Sequence, residues 1–157
     1  MNTQVSALGL TVPNFTLAGT AGDFHLSACR GNPLVIYFYP KDNTPGCTTE
    51  AGQFRDIHDE FRKFGCPIFG ISRDSLKSHL GFKTKLGLPF ELLADVDEAA
   101  CRLFDVVRIK KLYGKEVRGI ERSTFLIDAA GILRREWRTV KADGHAAEVL
   151  TAVRELQ

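Results

Sequence analysis

The spacing of apolar and polar positions changes several times along the chain, and each change marks an element. The strongest signal is Leu34 to Tyr39, an uninterrupted apolar, β-branched and aromatic run that stops at Pro40. A run without polar alternation predicts a central strand covered on both faces. From Thr48 to Phe64 the apolar residues Ala51, Phe54, Ile57, Phe61 and Phe64 recur every three or four positions with charged residues between them, which predicts one amphipathic helix. Pro67 to Ser72 reads as a second buried strand and Ser75 to Leu86 as a second helix. Glu91 to Ala94 reads as a short strand before a helix capped by Asp95 or Asp97. Upstream, Phe15 to Ala18 and Phe24 to Leu26 flank Gly19 and Gly22 and predict a small N-terminal hairpin. Downstream, a Gly- and Lys-rich loop covers Tyr113 to Gly119. Ser123 to Ile127 and Ile132 to Trp137 then bracket Asp128 to Gly131 as a second hairpin. A closing helix after Asp143-Gly144 carries Ala146, Val149, Leu150, Val153 and Leu156 on its apolar face.

This succession is βαβαβ with parallel pairing, then a ββα half. It predicts a three-layer α/β fold with an N-terminal β-hairpin, a pattern that fits a thioredoxin-like topology as well as other α/β arrangements. At 157 residues, with no repeat, low-complexity stretch or dividing linker, residues 1–157 are expected to form a single domain around one core.

Charge and composition remove several function classes. Lys and Arg number 21 against 19 Asp and Glu, and the signs alternate along the chain rather than forming a basic stripe, so no nucleic-acid partner is expected. Met1 to Pro13 lacks a basic region, an apolar run and a small-residue cleavage site, and no stretch reaches membrane-spanning length. A cytoplasmic protein without a membrane partner is expected. Cys29, Cys47, Cys66 and Cys101 are far apart and include no Cys-x-x-Cys pair, which argues against a zinc site and against a dithiol motif. His25, His58, His79 and His145 are scattered without metal-ligand spacing, so no metal is expected. Chemistry must then come from one cysteine in a special setting.

That setting is Pro40-Lys-Asp-Asn-Thr44-Pro-Gly-Cys47-Thr-Thr-Glu50, between the carboxyl end of the buried strand and the first turn of a helix. A cysteine there meets unpaired backbone N–H groups and the positive end of the helix dipole, which favour a thiolate over a thiol. Pro40 and Pro45 fix φ on either side, and Gly46 lets backbone approach a small ligand closely. Thr44 offers a hydroxyl that can donate to a bound oxygen or to the sulfur. The plainer alternative is a helix-start turn with a small buried cysteine.

The pattern Pro40-x-x-x-Thr44-x-x-Cys47 resembles the peroxiredoxin active-site motif. Phe38 to Glu50, Gly70 to Ser75, Gly119 to Asp128 and Trp137 to His145 together resemble the bacterioferritin comigratory protein branch, the Q-type peroxiredoxins, over nearly the whole chain. The resemblance implies a thioredoxin-like fold, an antioxidant role in cell redox homeostasis through reduction of hydrogen peroxide and organic hydroperoxides, no metal, haem or flavin, and a monomer. Cys47 matches the peroxidatic cysteine. Thr44 and Arg122 match the groups that bind the peroxide oxygens, and a permanently charged planar donor suits that task. For Arg122 taken alone, a surface salt bridge to Glu50 or Glu121 is the commoner explanation. Glu50 is a solvated helix residue, a dipole-complementing charge or a partner orienting the arginine, and stands outside the catalytic set.

Oxidised Cys47 would be a sulfenic acid that a second thiol must reduce. In this branch the resolving cysteine often lies five residues after the peroxidatic one or on the following helix, positions that hold Gly52 and Lys83 here. Cys101 sits with Ala100 and Phe104 on an apolar helix face, and Cys66 and Cys29 flank strands, so all three read as structural. A one-cysteine cycle is therefore expected, with thioredoxin, glutaredoxin or a small thiol as reductant, local unfolding of the first helix turn to expose the sulfur, and a sulfenic acid prone to overoxidation. The alternatives are a two-cysteine cycle through Cys29, Cys66 or Cys101, and a low-turnover peroxide sensor. Tyr37, Phe38, Tyr39 and Trp137 read as core and pocket wall, and a binding domain without redox chemistry has no need of Pro40, Thr44, Cys47 and Arg122 together.

Overall fold

A computed structural model describes residues 6–156; the first five residues of the N-terminal segment, and Gln157, lie outside it. A seven-stranded mixed sheet is built around β3 (Leu34–Phe38), which is buried along its whole length. β3 pairs in parallel with β4 (Ile68–Ser72), and β4 with β5 (Glu91–Ala94). On the other side β3 pairs antiparallel with β8 (Ser123–Ile127), which carries β9 (Leu133–Trp137) at one edge. The N-terminal hairpin β1 (Thr16–Gly19) and β2 (Phe24–His25) extends the sheet beyond β5.

Because side chains alternate across a strand, β3 supplies both cores. Val35, Tyr37 and Tyr39 face α1 (Pro45–Asp56), α2 (His58–Arg62), α3 (Leu76–Leu86) and α5 (His145–Leu156). Leu34, Ile36 and Phe38 face α4 (Ala99–Leu103), the turn Leu26–Cys29 and the N-terminal hairpin. The continuous apolar run is thus explained by two covered faces, and the layers are those expected of the three-layer α/β fold.

Three local expectations are corrected. The long helix breaks at Ile57, whose backbone leaves the helical region (φ −115°, ψ 16°), and it begins earlier, at Pro45. Apolar spacing continues through the break because Phe54 and Phe61 still pack on one another, so periodicity alone does not register it. The N-cap of α4 is Glu98, at φ 62°, rather than Asp95 or Asp97. Asp95 nonetheless satisfies the helix start, its carboxylate accepting from the amides of Ala100 and Cys101 at 3.2 and 2.7 Å. The loop at Tyr113 to Gly119 is instead part of a two-stranded hairpin, β6 (Val107–Leu112) and β7 (Lys115–Ile120), turning at Tyr113-Gly114, both with positive φ. Its outer part is exposed on both faces and carries no alternation to read. Backbone pairing and a two-residue turn shape it, and Glu98, bonded to Arg73 and Arg118, ties it to α4.

Phe54 stacks on Tyr37 at 4.8 Å and meets Phe61 and His145 at 6.0 and 6.2 Å, so it joins α1 to β3, α2 and α5. Phe54→Ala leaves a cavity there and is expected to cost about 3–5 kcal/mol, read as a lowered urea-unfolding midpoint.

Candidate active site

Pro40 ends the buried strand and the chain turns into α1 within a few residues. Thr44 is the N-cap in extended conformation (φ −90°, ψ 153°), and Pro45 occupies the first helical position, where its missing N–H is no loss. Cys47 therefore lies in the first turn. The amide of Thr48 makes the first helical bond, to Thr44 O at 2.9 Å, leaving the amides of Gly46 and Cys47 ahead of it without an intrahelical acceptor. Cys47 is only 2% exposed.

The arginine arrives by strand register. β8 pairs with β3 so that Ser123 lies opposite Phe38, which sets Arg122, one residue before the strand, beside the end of β3. Its Nη2 lies 3.5 Å from Cys47 Sγ and its Nη1 donates to Glu50 Oε1 at 2.7 Å. A Cβ on Gly46 would stand 3.0 Å from the same Nη2, so the missing side chain makes room for the guanidinium, where the sequence had suggested room for a ligand.

Glu50 has no exposed surface, which removes the reading of a solvated helix residue and makes the Arg122 ion pair one with a fully buried carboxylate and a largely covered guanidinium. At i+3 from Cys47 it shares the sulfur's helix face, a spacing that could have singled it out. Burial pushes its carboxyl up to about 7, against the pull of Arg122. Burial disfavours the Arg122 charge, yet Glu50 and Cys47 hold its proton more firmly than usual. The Tyr37 hydroxyl and Glu50 Oε2 are buried without a hydrogen-bond partner among the described residues. The Tyr37 ring fits because residue 70 is glycine, where a Cβ would meet its hydroxyl at 2.9 Å. The Thr44 hydroxyl donates to Lys41 O at 2.9 Å. Pro40 lies exposed at the rim.

Asp42, missed in the sequence, anchors the turn. Its carboxylate accepts from Tyr39 (2.6 Å) and Ser78 (2.8 Å) and meets His79 Nδ1 at 2.8 Å, so Tyr39 belongs to a polar network and is more than pocket wall. Burial would raise the Asp42 carboxyl, but the bonds from His79, Tyr39 and Ser78 hold it below the ordinary range. Asp42, Asp74 and His79 set possible metal ligands within 4.8 Å of one another. They are engaged in hydrogen bonds instead, Asp74 Oδ2 accepting from the Asp42 amide and from Ser72 Oγ, and His79 Nε2 facing Leu93 O.

None of the other cysteines is near Cys47. Cys66 precedes Pro67, whose carbonyl accepts from Val35 at the start of β3, and Cys29 accepts from Asn32 just before that strand. Both stand at the far end of β3 from the Cys47 turn, and that strand of five residues spans about 16 Å, against the ~7 Å between Cα atoms that a disulfide allows. Cys101 packs in the core on the opposite face of the sheet. Burial pushes the Cys66 thiol up to about 12, raises Cys29, and together with Asp95 raises Cys101. Lys83 donates to Leu88 O and Phe90 O.

The raised Glu50 carboxyl has a consequence for stability. The native chain keeps a proton that the unfolded chain releases above the ordinary 4.5, so this contribution is complete below that pH and is lost as pH rises through about 7. Relative to Glu50→Gln, the native protein is expected to lose on the order of 3 kcal/mol across that window. Urea unfolding of both at pH 5 and pH 7.5 measures it, and equal differences at the two pH values would contradict it.

Comparison with known proteins agrees with this geometry. The AhpC/TSA family is matched over residues 8–136. Peroxiredoxin Bcp of Xanthomonas campestris pv. campestris is 55% identical over 129 residues, covering 82% of this chain and 81% of its own. Peroxiredoxin Bcp of Bacillus subtilis is 48% identical over 150 residues, covering 95% and 96%. A solved structure of the Xanthomonas campestris bacterioferritin comigratory protein, described for its alkyl peroxide reduction activity, superposes with a TM-score of 0.87 at 50% identity and covers 90% of this chain and 91% of that one. With its thioredoxin-like layers and this breadth of identity, the chain belongs to the AhpC/TSA family, among the peroxiredoxins, which are thiol peroxidases.

Proposed function

We propose that the chain, as one domain over residues 1–157, reduces hydrogen peroxide and organic hydroperoxides in a one-cysteine cycle. The Cys47 thiolate attacks the terminal peroxide oxygen. The S–O bond forms as the O–O bond breaks, and the departing oxygen takes a proton to leave as water or an alcohol. Arg122 carries the reading: its Nη2 is 3.5 Å from the sulfur, where guanidinium N–H groups meet charge developing along the line of the two oxygens. Glu50 fixes that guanidinium from behind. Thr44 swings its hydroxyl from Lys41 O to the bound oxygen, and Pro40 and Gly46 wall the pocket.

The resulting sulfenic acid is reduced by an external thiol: thioredoxin, glutaredoxin or a small thiol. The distance of Cys29 and Cys66 along β3, and the position of Cys101 behind the sheet, favour this over an internal disulfide. The reading extends to a cytoplasmic monomer without nucleic-acid or membrane partners, supported by the mixed surface charge, the four free thiols and the absence, among the described residues, of a helix long and apolar enough to cross a membrane.

Intact mass after one equivalent of hydrogen peroxide, with a sulfenic-acid trap, is expected to show label on Cys47 alone. Loss of two hydrogens with a disulfide to Cys29, Cys66 or Cys101 would replace the one-cysteine cycle, and an unmodified Cys47 would end the peroxidase reading. Arg122→Lys keeps the charge but loses the fork of donors, and is expected to slow Cys47 oxidation about 10²–10³-fold in rapid-mixing kinetics.

A further inference from the structure

The Asp42 network lies where the Cys47 turn meets α3, and its protons can be counted. His79 is completely buried. Its Nε2 faces the carbonyl oxygen of Leu93 at 3.0 Å, and a carbonyl only accepts, so Nε2 carries hydrogen. Its Nδ1 faces Asp42 Oδ2 at 2.8 Å, so a second proton lies between ring and carboxylate. Hydroxyls of Tyr39 and Ser78 also donate to Asp42, so its two oxygens are held by three neighbouring side chains. The amide of Asp42 is held as well, by Asp74 Oδ2 at 2.9 Å. Asp42 is thus tied to β3, to α3 and to the turn between β4 and α3.

The tie bears on Cys47 through chain connectivity. Asp42 anchors one end of the short segment Asn43 to Gly46, and Ala51 and Phe54, packed in the core, anchor the other. A peroxide is small enough to enter the turn, but a thiol on a larger molecule cannot bring its sulfur in line with the S–O bond of a residue 2% exposed. The turn must open first, and with both ends pinned it has little slack.

Resting on the one-cysteine cycle above, we propose that His79 and Asp42 form a latch on the Cys47 turn and so set the rate of the reducing step. They are positioning residues and touch neither substrate nor sulfur. In the step they govern, the incoming thiol sulfur bonds to Cys47 Sγ as the S–O bond breaks, and the hydroxyl leaves as water with the thiol's proton. A second thiol then displaces Cys47 from the mixed disulfide, so two thiols are oxidised to one disulfide and the sulfenic acid is reduced to thiol. Peroxide attack follows the closed population, which stays near unity, whereas reduction follows the small open population. Loosening the latch therefore accelerates reduction while barely changing oxidation. A residue that merely stabilised the fold would not produce that asymmetry.

The test is single-turnover kinetics on the full chain, with one equivalent of hydrogen peroxide followed by dithiothreitol. His79→Gln keeps a donor toward Leu93 O but loses the one toward Asp42, and is expected to speed reduction about tenfold with oxidation within about twofold of native. His79→Asn, whose amide nitrogen stands where Nδ1 stands, is expected to return reduction towards the native rate. Tyr39→Phe keeps the ring volume, removes one donor to Asp42 and is expected to give about a threefold acceleration; it decides the matter if His79→Gln does not fold. Native reduction rates in the folded variants would overturn the latch while leaving the peroxidase reading intact. A native chain whose Cys47 forms no sulfenic acid would overturn both.

Discussion

A guanidinium largely covered beside a sulfur is balanced by a carboxylate buried behind it, and much of the structure around Cys47 serves that pairing. Arg122 comes from the strand antiparallel to β3, and Glu50 from the helix that β3 feeds. Gly46 gives up a side chain so that the guanidinium can lie against the helix. Compared with apolar packing, a buried ion pair adds little net stability, and removing one partner strands the other. What the pair supplies is a fixed positive charge and directed N–H groups at the sulfur. Their geometry survives because β3 is covered on both faces and its neighbours cannot slide without turning apolar side chains toward water.

Polar groups flank the Cys47 turn on two sides. On one side Arg122 and Glu50 complete the environment of the sulfur. On the other, Asp42 is held by Tyr39, Ser78 and His79 and fixes where the chain leaves β3. A low-dielectric interior strengthens satisfied hydrogen bonds and penalises unsatisfied ones, so each donor lost from either network weakens the hold on the groups that remain. The first is built for chemistry. The second anchors the segment that leads into the Cys47 turn.

Much of this was legible in the sequence, and the exceptions have a common cause. The order of strands and helices, the covered central strand and the N-terminal hairpin follow from local periodicity, because burial on one or two faces leaves a pattern in adjacent residues. The β6–β7 hairpin left no such mark, being largely exposed, and the break at Ile57 was hidden because Phe54 and Phe61 keep contact across it. Around the site, Cys47, Thr44, Pro40 and Gly46 were within reach because they sit within a few residues of one strand end. Glu50 stayed open between a solvated helix residue and a partner of the arginine, because burial on a helix depends on neighbours distant in the chain, and Asp42 carried no local signal of the side chains that surround it.

The sequence by itself therefore determined the layers of the fold, the place of Cys47 at a strand-to-helix junction, and the absence of a cysteine at the positions where Q-type peroxiredoxins often carry a resolving partner. Those features are encoded by neighbours in the chain. Only the tertiary structure decided that Arg122 bonds a buried Glu50, that His79 completes the shell of Asp42, and that Cys29, Cys66 and Cys101 are remote from Cys47. The reason is physical: ion pairing, burial and the span between two thiols depend on separations in space, and strand register and sheet order bring together or hold apart residues whose sequence spacing carries no trace of it.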